Sequence, residues 1–493
     1  MRTANAIPAI LLAACCFAGS AFAGPPPAPP LQPAPPVNPL SFFDGKITFD
    51  LQERLRWEDR DNNYDFNSAV NALTDDNWFL NRLRIGLLLK PVDWLKIYAQ
   101  GQDSREINSD RPDIPNQLGA EGDNSIDLRQ GYIEISNYDK CPFGLKVGRQ
   151  LLAYGDERLI GISDWTNFSR SFDAVKLRYQ QKDWSLGAFA SSVVVIDRGQ
   201  YDQSDTFNGN ETDREQVFSG LYFTSTGLLS VQTTDFYALH LHENTSPRYQ
   251  PTAIGDTNFV TLGFRVKSKP GVFHHEPAPA SDGKAIAEGK SASPPPPAPK
   301  KPIGFDYDAE AAFQTGEVRG LNLTAFAVHV GGGYTFNAPW TPRIGLEYNY
   351  ASGDDNPADS DIETFQNLFP SNHPPYGIMD LFCWQNVHNP AIILKAAPCK
   401  TLTVQLEYHG FWLANTDDTW YRSNATPVRP LTPAARAADS FVGTELDFFA
   451  TWKPLKQFGL QAGYSHFFTG DYVKDTGPSS DANFGYVQAT VEF

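Results

Sequence analysis

The sequence predicts an all-β protein, a transmembrane, antiparallel, up-and-down β-barrel of about 18 strands. Three observations carry this expectation. Short stretches alternate apolar and polar side chains with a period of two. The connections between them are short and long in turn, and the last stretch places Val487, Ala489, Val491 and Phe493 in one parity.

From the N-terminus, residues 1–23 carry one Arg, an apolar core from Ile7 to Ala18 and Ala21-Phe22-Ala23 before Gly24, the form of a cleaved secretory signal. Leu12-Ala13-Ala14-Cys15 also has the pattern that precedes a lipid-modified cysteine, and that alternative stays open. Residues 24–45, rich in Pro and Ala as far as Pro39, read as an extended periplasmic leader. The barrel is expected over 46–493, with a Pro-rich, disordered periplasmic insertion at 269–303. No later stretch approaches the roughly 18 to 20 apolar residues that a membrane helix needs, so the crossing falls to strands.

Alternation begins at once. Ile47, Phe49, Leu51, Leu55 and Trp57 interleave with Thr48, Asp50, Gln52, Arg54 and Arg56, and the pattern returns at Leu83–Leu89, Val175–Tyr179, Val260–Lys267 and Leu402–His409. Its polar half includes Arg54, Arg56, Arg82, Arg84, Lys176, Arg178, Arg265 and Lys267. A Lys or Arg on the lipid face near the bilayer midplane costs about 2–4 kcal/mol. Together these would cost tens of kcal/mol, against a net stability of about 5–15 kcal/mol. They must face a wet lumen. A soluble sandwich would also alternate, but the closing strand and the uneven connections weigh against it.

Lys90-Pro91-Val92-Asp93, Gln181-Lys182-Asp183, Thr226-Gly227 and Lys453-Pro454-Leu455-Lys456 read as tight turns. Segments 58–77, 105–125, 154–170, 197–214, 353–389 and 413–439 read as long polar loops, the asymmetry between the two ends of outer-membrane barrels. An even strand number returns both termini to the periplasm, and the closing strand suits recognition by barrel-assembly machinery.

The formal net charge of −17 argues against nucleic acid as a partner. After the signal only Cys141, Cys383 and Cys399 remain, without the spacing of a disulfide framework or a zinc site. Gly289-Lys290-Ser291 lacks the upstream Gly of a phosphate loop, Lys284 standing there. His274-His275, His373 and His388 have no helix to set metal-ligand spacing, and Asp354, Asp355, Asp359 and Asp361 lack a calcium-loop pattern and read as a solvated charged loop. Ser465 and His466 fall on opposite faces of a strand and cannot act as nucleophile and base. We therefore expect no catalysis, no cofactor and no metal. The lumen remains. Its basic positions concentrate in the first half, at Arg54, Arg56, Arg82, Arg84, Arg129, Arg149, Arg158, Arg170, Lys176, Arg178, Arg265 and Lys267. Acids dominate the second half, at Asp306, Asp308, Glu310, Glu347, Glu407, Glu445 and Asp447. Some of these charges will pair across the lumen, and any single Arg could simply tie a loop to the wall. A ring of Arg and Lys is nevertheless the expected device for passing anions.

Several blocks resemble one family. Asp127-Leu128-Arg129-Gln130-Gly131-Tyr132, Val147-Gly148-Arg149-Gln150, Tyr154-Gly155-Asp156-Glu157-Arg158-Leu159 and Asp164-Trp165-Thr166-Asn167 leading to Arg170-Ser171-Phe172-Asp173 are similar to the alginate-export family of outer-membrane barrels. Ser352-Gly353-Asp354, Thr364 to Pro370, His373, Gly377, Asp380 and Tyr464 to Tyr472 extend the resemblance over most of 46–493. It implies a monomeric barrel that passes a polyuronate through an arginine-lined constriction gated by a loop. On matching positions it implies a pore-lining role for Arg129, Arg149, Arg158 and Arg170, with Asp156 and Asp173 orienting them. The expected function is passive passage, in the export direction, of an anionic polysaccharide such as alginate, with secretion partners in the periplasm. Uptake of small anions or sugar acids is the alternative. The 269–303 insertion and the acidic half-wall are not part of the family pattern.

Overall fold

Alternating side chains become a closed wall. A computed structural model describes residues 39–69, 75–109, 124–195, 211–212, 216–244, 255–269, 303–373 and 375–493. The expected signal, the leader up to residue 38 and the insertion from 270 to 302 lie outside the described residues. The wall consists of β1 (Ile47–Asp61), β2 (Asp76–Val92), β3 (Leu95–Ile107), β4 (Asn124–Asn137), β5 (Cys141–Gln150), β6 (Phe172–Gln180), β7 (Trp184–Val195), β8 (Gln216–Ser225) and β9 (Gln232–Glu243). It continues through β10 (Thr257–Ser268), β11 (Gly304–Val318), β12 (Leu321–Thr335), β13 (Arg343–Ala351), β14 (Val387–Cys399), β15 (Leu402–Trp412), β16 (Phe441–Leu455), β17 (Phe458–Thr469) and β18 (Ala482–Glu492). Each strand pairs antiparallel with the next. β18 then pairs with β1, from Gln52 opposite Glu492 to Asp61 opposite Asn483, and the barrel has no open edge.

Burial confirms the assignment of faces. In β1, Arg54 and Arg56 are 4% and 2% exposed, whereas Leu55 between them is 51% exposed. In β2, Arg82 and Arg84 are buried while Phe79 and Ile85 stand out, and in β16 Glu445 and Asp447 are buried beside exposed Leu446 and Phe448. The exposed apolar side chains are those that meet hydrocarbon. Aromatic contacts gather near the short turns, with Phe143 against Tyr179, Tyr179 against Trp184, and Phe305 and Phe336 against Tyr334. This is a girdle at one membrane interface.

The connections follow the expected rhythm with one exception. β11 and β12 are joined at the long-loop end by Arg319-Gly320 alone. Their φ angles of +52° and +79° suit the primed two-residue turn of a tight hairpin, and Gly320 takes the second position without strain. β10 ends at Ser268 and β11 begins at Gly304, both at the opposite, short-turn end.

The expectation that 353–389 and 413–439 are polar loops is corrected. They fold inward and contribute buried Phe365, Tyr376, Phe382, Trp384 and Trp420, which pack with Phe411, Phe467 and Phe66. Phe382 stacks on Phe411 with ring centroids 3.8 Å apart. Aromatic side chains that would be exposed on an outward loop instead fill the long-loop end of the lumen. The acidic cluster is likewise only partly solvated: Asp355, Asp359 and Asp361 are exposed, but Asp354 is buried and its backbone N–H donates to Asp418 at 3.1 Å.

Candidate functional site: an arginine cluster over an infolded connection

The connection 151–171, between β5 and β6, turns into the barrel. Its apolar residues Leu152, Leu159, Ile160 and Phe168 are buried, and Ile160 forms a parallel bridge with Phe369 of the 352–386 connection. Its tip, Asp164-Trp165-Thr166-Asn167, meets guanidinium groups from β1, β2 and β4. Arg54 donates to the carbonyl oxygens of Asp164 (2.8 Å), Trp165 (3.3 Å) and Thr166 (3.1 Å), and to Asn167 Oδ1 (3.3 Å). Arg56 donates to the Trp165 carbonyl at 2.8 Å and lies 3.8 Å from the Trp165 ring centroid. His373 stacks on that ring at 3.8 Å, 7° from parallel. The Asp164 carboxylate takes Arg84 at 2.9 Å, Arg82 at 3.1 Å and Arg129 at 3.7 Å.

Arg129 is aimed by a break in the alternation. Ile126 and Leu128 face outward, as do Ile133 and Ile135, so the parity of β4 switches between them. Opposite, Gln100 pairs with Gln130 and Gly101 with Leu128, which leaves Arg129 as the extra residue of a β-bulge. The bulge turns Arg129 inward, where it donates to Gln100 Oε1 at 2.7 Å and Ser169 Oγ at 3.3 Å.

The remaining expected residues fall in separate places. Arg158 anchors the other flank of 151–171 to the acidic wall, with Glu310 at 3.3 Å, Asp308 at 3.5 Å and His329 at 2.8 Å. Asp156 sits 3.5 Å from Arg158 but binds Arg265 at 2.9 Å and Lys267 at 2.6 Å more closely. Arg149 and Asp173 form a bidentate pair at 3.0 and 3.1 Å, but they share the outward parity of exposed Val147 and Val175, so the expectation that Arg149 lines the lumen is corrected: the pair sits on the outer face near the long-loop end. Arg170 donates to the carbonyls of Gly161 (3.0 Å) and Pro370 (2.8 Å) and fixes the base of the connection. Lys176 lies over Tyr154, 4.6 Å from the ring centroid, and Arg178 donates to Ser185 at 3.3 Å in the part of the lumen nearer the short turns. Asp173 thus pairs with Arg149 away from the lumen, while the acid beside Arg129 is Asp164. Asp164 lies within the Asp164-Trp165-Thr166-Asn167 block, and nothing local in the sequence marks it as the partner of these arginines.

The charge balance is lopsided. Arg82, Arg84 and Arg129 surround one carboxylate, with Arg54 on the adjoining backbone carbonyls, and the Nε groups of Arg54, Arg82 and Arg129 are buried without a hydrogen-bond partner among the described residues. Burial pushes the Asp164 carboxyl up, but Arg82, Arg84, Arg54 and Arg129 outweigh it and hold the group well below the usual carboxylate range. Burial likewise opposes ionisation of Asp156, and its hydrogen bonds to Arg265 and Lys267 prevail and depress it. Arg170, pushed down to about 10 by burial and partly restored by Glu157, stays charged at neutral pH.

A closed barrel with an apolar outer belt and charged groups gathered over an infolded connection defines an outer-membrane channel of the porin kind. The chain belongs to the alginate export family, whose profile matches residues 46–487. No curated protein matches it. Solved structures share its fold. Pseudomonas aeruginosa OpdK with vanillate aligns at a TM-score of 0.56 and 10% identity, over 91% of this chain and 98% of that one. Acinetobacter baumannii OccAB4 aligns at 0.55 and 12%, over 92% and 100%. Pseudomonas aeruginosa OccD3 (OpdP) aligns at 0.55 and 12%, over 92% of each chain. The protein resides in the outer membrane, and its family and fold are those of channels rather than enzymes.

Proposed function

We propose that this channel passes an anionic polysaccharide, a polyuronate such as alginate, passively and in the export direction. One observation carries the reading: three guanidinium groups, Arg82, Arg84 and Arg129, converge on the single carboxylate of Asp164 in the lumen, with Arg54 on the backbone carbonyls beside it. A carboxylate already occupies the cluster, and a uronate carries the same group. Arg54, Arg56, Arg82, Arg84 and Arg129 would receive the polymer as the 151–171 connection gives way. Arg158, Arg170, Lys176 and Arg178 would line its path, with Asp156 among Arg158, Arg265 and Lys267. The driving force would be a gradient maintained by synthesis on the periplasmic side, and the barrel would act as a monomer inserted by the assembly machinery.

Burial of Arg54, Arg56, Arg82 and Arg84 under the connection favours a second reading, uptake of small anions or sugar acids through a narrow path. Oligouronates of graded length, added to single channels in planar bilayers, separate the two. Length-dependent interruption of the current by oligouronates, and none by neutral oligosaccharides of equal length, supports export. Conduction of monomeric sugar acids with no response to the oligomers would replace it with the uptake reading.

A further inference from the structure

A few strands from the arginine cluster around the wall, β15, β16 and β17 hold a buried acidic group that has no part in the proposed path. Glu407 of β15 stands opposite Asp447 of β16, which stands opposite Ser465 of β17. One step toward the long-loop end, His409 stands opposite Glu445. All five side chains point inward and are buried, with Glu445, Asp447 and Ser465 at 0% exposure. Like charges placed directly opposite across strands repel. Here two of three neighbouring carboxylates, Glu407 and Asp447, face one imidazole, Gln405 donates to Glu407 Oε1, and among the described residues no Lys or Arg forms an ion pair with any of the three. Ser465 donates to Asp447 Oδ1 or Glu445 Oε1, and the backbone N–H of Met379 donates to Glu445 Oε1 at 3.0 Å. Asp447 Oδ2 and Glu445 Oε2 have no hydrogen-bond partner among the described residues. Burying uncompensated carboxylates with idle oxygens is costly unless a cation answers them.

We propose that Glu407, His409 and Asp447 bind one divalent transition-metal ion, best matched by Zn²⁺, with Glu445 beside them as a further carboxylate. The three candidate ligand atoms lie within 4.8 Å of one another. His409 Nε2 is 3.0 Å from Glu407 Oε2 and 3.9 Å from Asp447 Oδ2. These separations bracket the roughly 3.4 Å edge of a tetrahedron with bonds of about 2.1 Å, the usual zinc-to-oxygen and zinc-to-imidazole length. An imidazole nitrogen among the ligands favours zinc over calcium or magnesium, which take oxygen donors. The ion would be structural. It would join β15 to β16 and, through Glu445 and the Met379 N–H, steady the 352–386 connection inside the barrel.

The geometry adds a condition on the neighbouring amide. Asn389 Nδ2 now faces His409 Nδ1 at 3.3 Å and the Gly410 carbonyl at 3.2 Å. Metal binding through Nε2 places the ring proton on Nδ1, which then needs an acceptor, and Asn389→Asp supplies one.

The test is metal content and thermal stability of the full chain, unfolded in denaturant with chelator and refolded into detergent with or without Zn²⁺. We expect about one zinc per chain, retained through gel filtration, and a higher unfolding temperature with zinc than without, because binding to the folded state alone shifts folding by mass action. Glu407→Gln with His409→Ala should lower retained zinc at least about tenfold while the barrel still shows heat-modifiable migration, as expected when ligands to a structural ion are lost. Asn389→Asp should tighten retention. The wild-type result decides even if the variants do not fold. Refolded wild type without bound zinc and with an unmoved unfolding temperature would overturn the assignment, leaving a proton shared by Glu445 and Asp447 as the answer to their repulsion. Stabilisation by Ca²⁺ but not Zn²⁺ would overturn the role of His409.

Discussion

Replacing Asp164 by Asn removes the carboxylate shared by Arg84 (2.9 Å), Arg82 (3.1 Å) and Arg129 (3.7 Å) while keeping the side chain's size. Breaking a fully buried ion pair costs about 3–5 kcal/mol, because the remaining charge is stranded. The Asp164 side chain is 40% exposed, so water replaces part of what it supplies. Discounted for that screening, the docked position of 151–171 should lose about 1–3 kcal/mol. Such a coupling shifts a two-state equilibrium about 5- to 150-fold. The carbonyl bonds from Arg54 and Arg56 remain, so the connection should undock more often without being lost. Single-channel recording in planar bilayers reads this as a rise in open probability, with anion preference strengthened by the freed guanidinium groups. An Asp164→Asn channel with the open probability and ion preference of its parent would show that the backbone bonds alone hold the connection, and that Asp164 is no latch.

Three other outcomes follow from the same contacts. Since Asp164 and Asp156 are depressed in the docked state, the undocked state takes up protons first as pH falls; docking should be undiminished above the ordinary carboxylate pKa near 4 and weaken below it. Tryptophan fluorescence of the membrane-inserted barrel should report that transition, and a midpoint near pH 6 to 7 would assign control to another group. Trp165→Ala removes the Arg56 contact at 3.8 Å and the His373 stack at 3.8 Å, and should weaken docking by about 1–2 kcal/mol, seen as faster proteolysis within 151–171. Leu177→Lys puts a charge on the lipid face of β6 and should cost about 2–4 kcal/mol in urea titrations of the bilayer-inserted barrel.

The wall was legible because its rule is local. Arg54, Leu55 and Arg56 declare two faces within three residues, and repetition of that pattern settles the fold. Arg129 was legible as a site residue only through its motif, since the bulge that aims it breaks the alternation. Asp164 was not legible as the hub. Its partners on β1 and β2 lie some 80 to 110 positions earlier, and a single chain carries no sign of such pairings. The infolding of 352–386 and 413–440 was written in Phe365, Phe382, Trp384 and Trp420, aromatic residues that a solvated loop would not spend on water. Their separation by polar residues hid the pattern, because irregular backbone has no fixed period to reveal a buried face. The acidic cluster around Asp447 needed the strand register, which puts Glu407, Asp447 and Ser465 side by side from three separate strands.

The reversal potential of the purified channel under a salt gradient across a planar bilayer tests the central claim most directly. The basic groups along the lumen should set it on the anion side, and Lys176→Glu with Arg178→Glu should move it toward the cation side. A parent channel that prefers cations, or one whose preference ignores both substitutions, would contradict the account.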